Sequence, residues 1–346
     1  MLRRCQPEGG AQANARWLAA FQRGENPRLE LRYGPAPELG ALRSRLEATA
    51  AALHGGVVEA LYAERAAELE LEARLAEAVG TPAFGSLARQ RHAVRGSPEW
   101  QAARTLALGW AKELITGDDE PRHESGDRRR PESLVSVLLR ELGALRLPVR
   151  VEVVPSLGSR AATGTGVIFV RAGVRLSEQQ GQRIAAHEIH GHALPRELGR
   201  SQALGLFRVG SARSSDDEEG RAVLLEERLG FLDPPRRAEL GFRHLGALAV
   251  SEGASDVECV RLLVGRGCPL PAALDVYARA ARGGGLCREL EYLPALLRVK
   301  EAFAVEPNLE RWLEHGRLSL NAARALRAQG IAPRSTSHSK VATTGT

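Results

Sequence analysis

The chain of 346 residues has little of several things. It holds three lysines (Lys112, Lys300 and Lys340), one methionine and four cysteines, and only 4% of it is aromatic. Cys5, Cys259, Cys268 and Cys287 form no Cys-x-x-Cys pair. That spacing excludes a disulfide framework or a thiolate zinc site and predicts the reduced thiols of a cytoplasmic protein. No apolar run approaches the roughly 20 residues that span a bilayer. The amino terminus turns polar at once, which leaves no signal peptide and predicts no membrane partner. Few aromatics mean few stacking platforms for single-stranded nucleic acid. The net charge of +6 comes from basic residues that are nearly all arginine. They are interleaved with Asp and Glu in the manner of solvated helix faces. No nucleic-acid partner is therefore expected.

At 43% hydrophobic, the chain has the apolar content of a globular fold. Residues 1–115 read as a helical N-terminal region. Within it, apolar periodicity runs over 37–54 and over 57–79, the latter stopping at Gly80, and a further helix starts at Ser97 and Pro98. The stretch 116–133 is charged, broken by Pro and Gly, and reads as a flexible linker or loop. Residues 134–330 read as a further folded region and 331–346 as a disordered tail. After a helix at Leu134 to Leu145, Val149 to Val154 alternates like a strand, and Gly166 to Val170 is a second short strand. The glycine-rich stretch from Gly158 to Gly166 lacks the Gly-Lys-Ser/Thr ending of a phosphate loop and reads as a turn. Ser177 caps the next helix, with Gln180 as capping-box partner.

That helix carries Ala186-His187-Glu188-Ile189-His190-Gly191-His192, three of the nine histidines beside a glutamate. Such a cluster points to a metal centre. Zinc peptidases commonly stack histidines at i and i+4, but here the i+4 position is Gly191. At about 100° per residue, His187 and His190 lie about 60° apart, and His187 and His192 about 140° apart. A regular helix favours the first pair. The second requires the helix to loosen before His192, which Gly191 permits. Catalytic zinc takes three protein ligands and keeps one position open. With no further histidine in a suitable frame, the third ligand is expected to be a carboxylate from the acidic run Asp216 to Glu227. Within it, Glu219 and Glu226 share a face.

The pattern His187-Glu188-x-x-x-His192, then Glu219-Gly220-Arg221-Ala222, resembles the tyrosine carboxypeptidase family. These are the microtubule-associated tubulin detyrosinases, with bacterial relatives known by a QEGLA motif. Asn26-Pro27 with Leu31-Arg32-Tyr33 resembles the family's early Asn-Pro and Arg-Tyr signature. Asp233-Pro234 falls at about the family's distance after the Glu, and Arg279-Ala280-Ala281-Arg282-Gly283 resembles its Arg-x-x-Arg-Gly. Cys287-Arg288-Glu289-Leu290-Glu291-Tyr292-Leu293 is similar to its Ser/Thr-Lys-Asp-x-x-Tyr-Leu, and Gly316-Arg317-Leu318-Ser319 to its Gly-Lys-Ile/Val-Ser.

The elements read as an α+β, helix-dominated fold with a small sheet beside the histidine-bearing helix, and the resemblance implies a zincin-like metallopeptidase core there. It implies one Zn2+ ion on His187, His192 and Glu219. Glu188 would be the base, assisting attack of water at the zinc on the last peptide bond of a peptide or protein C-terminus. Tyr292 would donate to the oxyanion, and Arg279, Arg282 or Arg288 would grip the terminal carboxylate. The strands at 149–154 and 166–170 would offer an edge to an extended substrate. Two departures stand out. Arg221 replaces Leu and puts a charge beside the ligand, and Arg288-Glu289 replaces Lys-Asp with the same charges in another geometry. The alternative is a metal-binding regulatory protein of the QEGLA type without peptidase activity; a metal-free, basic nucleic-acid binder comes third. On geometry alone, His190 competes with His192, and Glu226 with Glu219.

Overall fold

The computed structural model describes residues 4–25, 27–92, 97–113 and 121–334. Asn26 of the early signature, the start of the 116–133 stretch and most of the expected tail lie outside the described residues. The chain opens with helices α1 (Gly10–Gln22), α2 (Gly40–Ala52), α3 (Val57–Ala78), α4 (Phe84–His92) and α5 (Pro98–Trp110). Next come strand β1 (Arg122–Glu124), helix α6 (Leu134–Ala144) and strands β2 (Arg150–Val154), β3 (Ala161–Gly164), β4 (Val167–Arg171) and β5 (Arg175–Ser177). Helix α7 (Glu178–Ala186) runs into a π-helix (His187–Ala193) and then α8 (Leu194–Arg200). The rest is helical: α9 (Leu206–Val209), α10 (Ser214–Arg228), α11 (Pro234–Ser251), α12 (Asp256–Val264), α13 (Leu270–Gly285), α14 (Tyr292–Val305), α15 (Asn308–Glu314) and α16 (Leu320–Ala328). The fold is helix-dominated with small sheets, of the α+β type. Among the described residues, no helix is long and apolar enough to cross a membrane.

The chain forms two compact units, each drawn from three segments. The first comprises Met1–His54, Ala66–Thr116 and Asp233–Leu297. Its centre is α11, packed on α5, α12 and α13. Small residues allow this close packing: Trp100 lies among Ala247, Leu248, Ala280 and Leu290. Ser255 and Glu258 close a capping box at the start of α12.

The second unit comprises Gly55–Arg65, Gly117–Leu232 and Arg298–Thr346. Its core forms where α6 lays the stripe Leu134, Leu138 and Leu142 against Val151 of β2, Ile168 and Val170 of β4, and Ile184 and Ala185 of α7. The i, i+4, i+8 spacing of that stripe is what an α-helix needs to present one apolar face. The sheet has the order β2-β4-β3, with β2 parallel and β3 antiparallel to β4. Strand β3 occupies part of the stretch read from sequence as a turn; the chain bends at 158–160 and turns at Thr165-Gly166, with Gly166 at φ +66°. Ala161-Ala162-Thr163-Gly164 has no apolar alternation, so pairing with β4, not local preference, makes it a strand. Consequently β4 is the middle strand and offers no edge, while β3 packs against the π-helix. Residues 121–133 are tied to this unit as well. β1 pairs with β5, and the buried Ser125 donates to the Arg171 carbonyl at 2.6 Å.

Candidate metal centre

Ser177 and Gln180 form the expected box at the head of α7: Ser177 Oγ accepts from the Gln180 amide and Gln180 Oε1 from the Ser177 amide, both at 3.3 Å. The helix then sinks into the core and widens to a π-helix over His187–Ala193. A π-turn bonds each amide five residues back, so residues five apart come round to the same side. His187 and His192 are five apart, and their ring centres lie 5.1 Å from each other. The loosened helix selects this pair. His190 is half-buried and stands outside the group.

Helix α10 brings the carboxylates. Glu219 Oε2 lies 3.4 Å from His187 Nε2, and its Oε1 lies 3.7 Å from His192 Nε2. One donor atom from each of His187, His192 and Glu219 falls within 4.8 Å of the others, and all three residues are buried. Glu226 stands on the opposite side of His187, 2.7 Å from Nδ1, and also meets Arg183 at 3.4 Å. Glu218 lies 3.5 Å from His192 Nδ1 and takes Arg317 at 2.9 Å and Arg196 at 3.3 Å. Both imidazoles turn Nε2 toward Glu219. Glu226 grips His187 at Nδ1, the way a carboxylate orients a metal-binding histidine, whereas Glu218 stands near His192 Nδ1 without a hydrogen bond.

The whole acidic start of α10 is buried, and each acid has its own partner. Asp216 pairs with Arg213 at 2.7 Å, while Asp217 accepts from Arg298 Nε at 3.0 Å and from the Leu320 amide at 2.8 Å. Stabilisation of a helix N-terminus accounts for none of these contacts by itself. Burial alone would raise the Glu218 carboxyl, but Arg317, Arg196 and His192 hold it well below the usual range. Burial likewise disfavours a charged His187. Glu219 and Glu226 outweigh burial there and lift the imidazole to about 9. Surroundings that hold a proton on a buried imidazole are built for positive charge. With two Nε2 atoms and a carboxylate, the donor set fits a divalent cation.

Two further features shape the centre. Gly191 lies so close to Ala222 that an added Cβ would stand 2.7 Å from the Ala222 Cβ. The two small residues therefore set the spacing of the π-helix from α10. Arg221, the departure from the family motif, turns away from the donor atoms and gives Nη2 to the carbonyls of His190 at 2.9 Å and Gly191 at 2.5 Å. Glu188 is held from the sheet. Thr163 Oγ1 donates to Glu188 Oε2 at 2.7 Å and lies 3.1 Å from the Glu188 carbonyl. Arg196 in turn donates to the Thr163 carbonyl at 2.7 Å. Sequence reading missed Thr163 and Arg196 and did not separate Glu218 from the acidic run around it. Arg317, within the Gly-Arg-Leu-Ser stretch, was the one signal available.

The other expected site residues belong to the first unit. There Glu289 takes Arg279 directly and has Arg243 and Arg282 at 3.7 and 3.9 Å. The Arg243 guanidinium lies 4.7 Å over the ring of Tyr292, and Arg288 is 3.7 Å from Glu291. The structure brings these residues together as an ion cluster in one unit, and the His–His–Glu group forms in the other.

The second unit is thus a helix-dominated α+β assembly that gathers two imidazoles and a carboxylate able to hold a metal ion. The chain belongs to the microtubule-associated tyrosine carboxypeptidase family, whose model matches residues 19–332. No curated protein matches it. A crystal structure of a presumed lipoprotein from Colwellia psychrerythraea is similar at 12% identity and a TM-score of 0.47, covering 90% of this chain and 72% of that one. This likeness is too loose to carry an argument.

Proposed function

We propose that this protein is a zinc-dependent carboxypeptidase acting on peptide or protein C-termini. One observation carries the reading: in a member of this family, His187, His192 and Glu219 converge in a buried group, with Glu226 and Glu218 behind the two imidazoles. Zinc suits two nitrogens and one carboxylate oxygen with a fourth position open. When bound, it would supply Lewis acidity toward a carbonyl and a water molecule. His187 and His192 are the nitrogen ligands in this reading and Glu219 the oxygen ligand. Thr163 holds one carboxylate oxygen of Glu188, which leaves the other to take a proton from the attacking water and return it to the leaving amine. A helix bearing both histidines and the base, set against a small sheet, supports a zincin-like core. Cys5, Cys259, Cys268 and Cys287 are buried thiols without a disulfide, which suits a reducing, cytoplasmic setting.

The test is metal analysis of protein purified without chelator, followed by a screen of C-terminal peptides. The family's name makes a C-terminal tyrosine the first residue to try. Stoichiometric zinc and trimming by the wild type are expected, and Glu188→Gln should keep the metal and lose turnover. Zinc without trimming would sink the peptidase reading and leave a metal-binding regulatory protein. Protein devoid of zinc would sink the centre itself.

A further inference from the structure

The π-turn that brings His192 beside His187 has a gap in its hydrogen-bond ladder, and the gap has a cause in the sequence. The Leu194 amide reaches five residues back to the Ile189 carbonyl. The next amide in that register, which would serve the His190 carbonyl, belongs to residue 195. Residue 195 is a buried proline and has no N–H. In an α-register the same missing amide would have served Gly191. The Gly191 carbonyl is buried and the His190 carbonyl partly so, and a carbonyl left unpaired away from water is costly. The side chain of Arg221, itself buried on α10, donates to these two carbonyls through one nitrogen.

We propose that Pro195 and Arg221 are a compensating pair: Arg221 supplies from the neighbouring helix the donor that Pro195 lacks, and so fixes the π-turn that holds His192 at the metal centre. Arg221 is on this account a positioning residue. The charge beside Glu219, which looked like a liability in the sequence, serves the backbone one turn away. The second half of the proposal rests on the metal reading given above; the first half does not.

The experiment is a double-mutant cycle of Arg221→Leu, Pro195→Ala and the two combined, read in two ways. Thermal unfolding in chelator tests the pair without metal. Competition of zinc against a chromophoric chelator tests the consequence. Arg221→Leu should lower Tm and weaken zinc binding about 10- to 100-fold, as loss of groups that orient metal ligands does. Pro195→Ala should change little. The double variant regains an amide at residue 195 and should bind zinc within a few-fold of wild type, with its Tm largely restored. Additive Tm changes would overturn the pair, whatever the metal result. Coupled Tm changes with unaltered zinc affinity in Arg221→Leu would overturn the positioning of His192. Wild-type protein that binds no zinc would overturn the metal reading and that second half, while the unfolding cycle still decides the first.

Discussion

Gly191→Ala should disable the metal centre without touching a ligand. The new methyl would stand 2.7 Å from the Ala222 Cβ and 3.5 Å from its Cα. Ordinary contact begins near 3.4 Å, so the π-helix and α10 must part by about 0.7 Å. Glu219 sits one turn before Ala222 on α10, and His192 follows Gly191 directly, so this separation falls on the spacing of the donor atoms. Metal–ligand distances tolerate only about 0.2 Å. Stability should respond far less. Overpacking costs about 1–3 kcal/mol, and alanine regains about 1 kcal/mol over glycine within a helix. The net loss should therefore lie between about 0 and 2 kcal/mol, with zinc affinity down at least about tenfold. Chelator competition measures the affinity, and thermal unfolding in chelator measures the stability. Ala222→Gly removes the methyl that is struck, so Gly191→Ala with Ala222→Gly should recover most of the binding at some cost in helix stability. Wild-type zinc affinity in Gly191→Ala, or no recovery in the double variant, would refute the argument that this contact sets the centre.

Three other outcomes are expected. Thr163→Val should cut turnover about 10- to 100-fold with zinc content and KM unchanged, because it frees the Glu188 carboxylate from its donor. Thr163→Ser should restore activity; equal turnover in the valine and wild-type proteins would exclude a positioning role. Glu226→Ala removes the acceptor shared by His187 and Arg183 and should weaken zinc binding about 10- to 100-fold. Glu226→Gln, which keeps an acceptor oxygen, should lose less, and the reverse order in a competition assay would count against the proposed orientation. Finally, burial would raise the Glu289 carboxyl, but Arg279, Arg243 and Arg282 hold it down, from 4.5 to about 2. A carboxyl depressed in the folded state adds stability above its unfolded pKa, here on the order of 3 kcal/mol, and loses it as pH falls from about 4.5 toward 2. Thermal unfolding across that range should show a steep acid limb, flattened in Glu289→Gln. An identical limb in both proteins would show that the arginines contribute nothing.

What the sequence disclosed about the centre followed from short-range rules. Ser177 with Gln180 fixes a helix start by local hydrogen bonding, and it is legible because cause and effect lie within one turn. The choice between His190 and His192 was not legible in this way, since a regular helix favours His190 beside His187 and only the loosened turn brings His192 round. Strand β3 was not legible, since Ala161-Ala162-Thr163-Gly164 has no pattern of its own and becomes a strand only where β4 supplies the partner. The carboxylates show the same limit. Asp216, Asp217, Glu218 and Glu219 are four adjacent acids that sequence treats as one charged helix start. Their roles diverge because Asp216 pairs with Arg213 at the head of its own helix, while Arg298, Arg317 and the histidines approach the others from different parts of the chain. Glu219 and Glu226 looked equivalent because they share a helix face. They differ because His187 has two nitrogens, and each glutamate meets a different one. The division into units was hidden for a related reason. Arg298, Arg317 and Leu320 serve acids some 80 to 100 residues earlier in the chain, and no local signal announces such a return. Arg221 is the sharpest case. Its neighbours in sequence make it a misplaced charge beside Glu219. Only the geometry connects it to Pro195, whose missing amide creates the vacancy that the guanidinium fills.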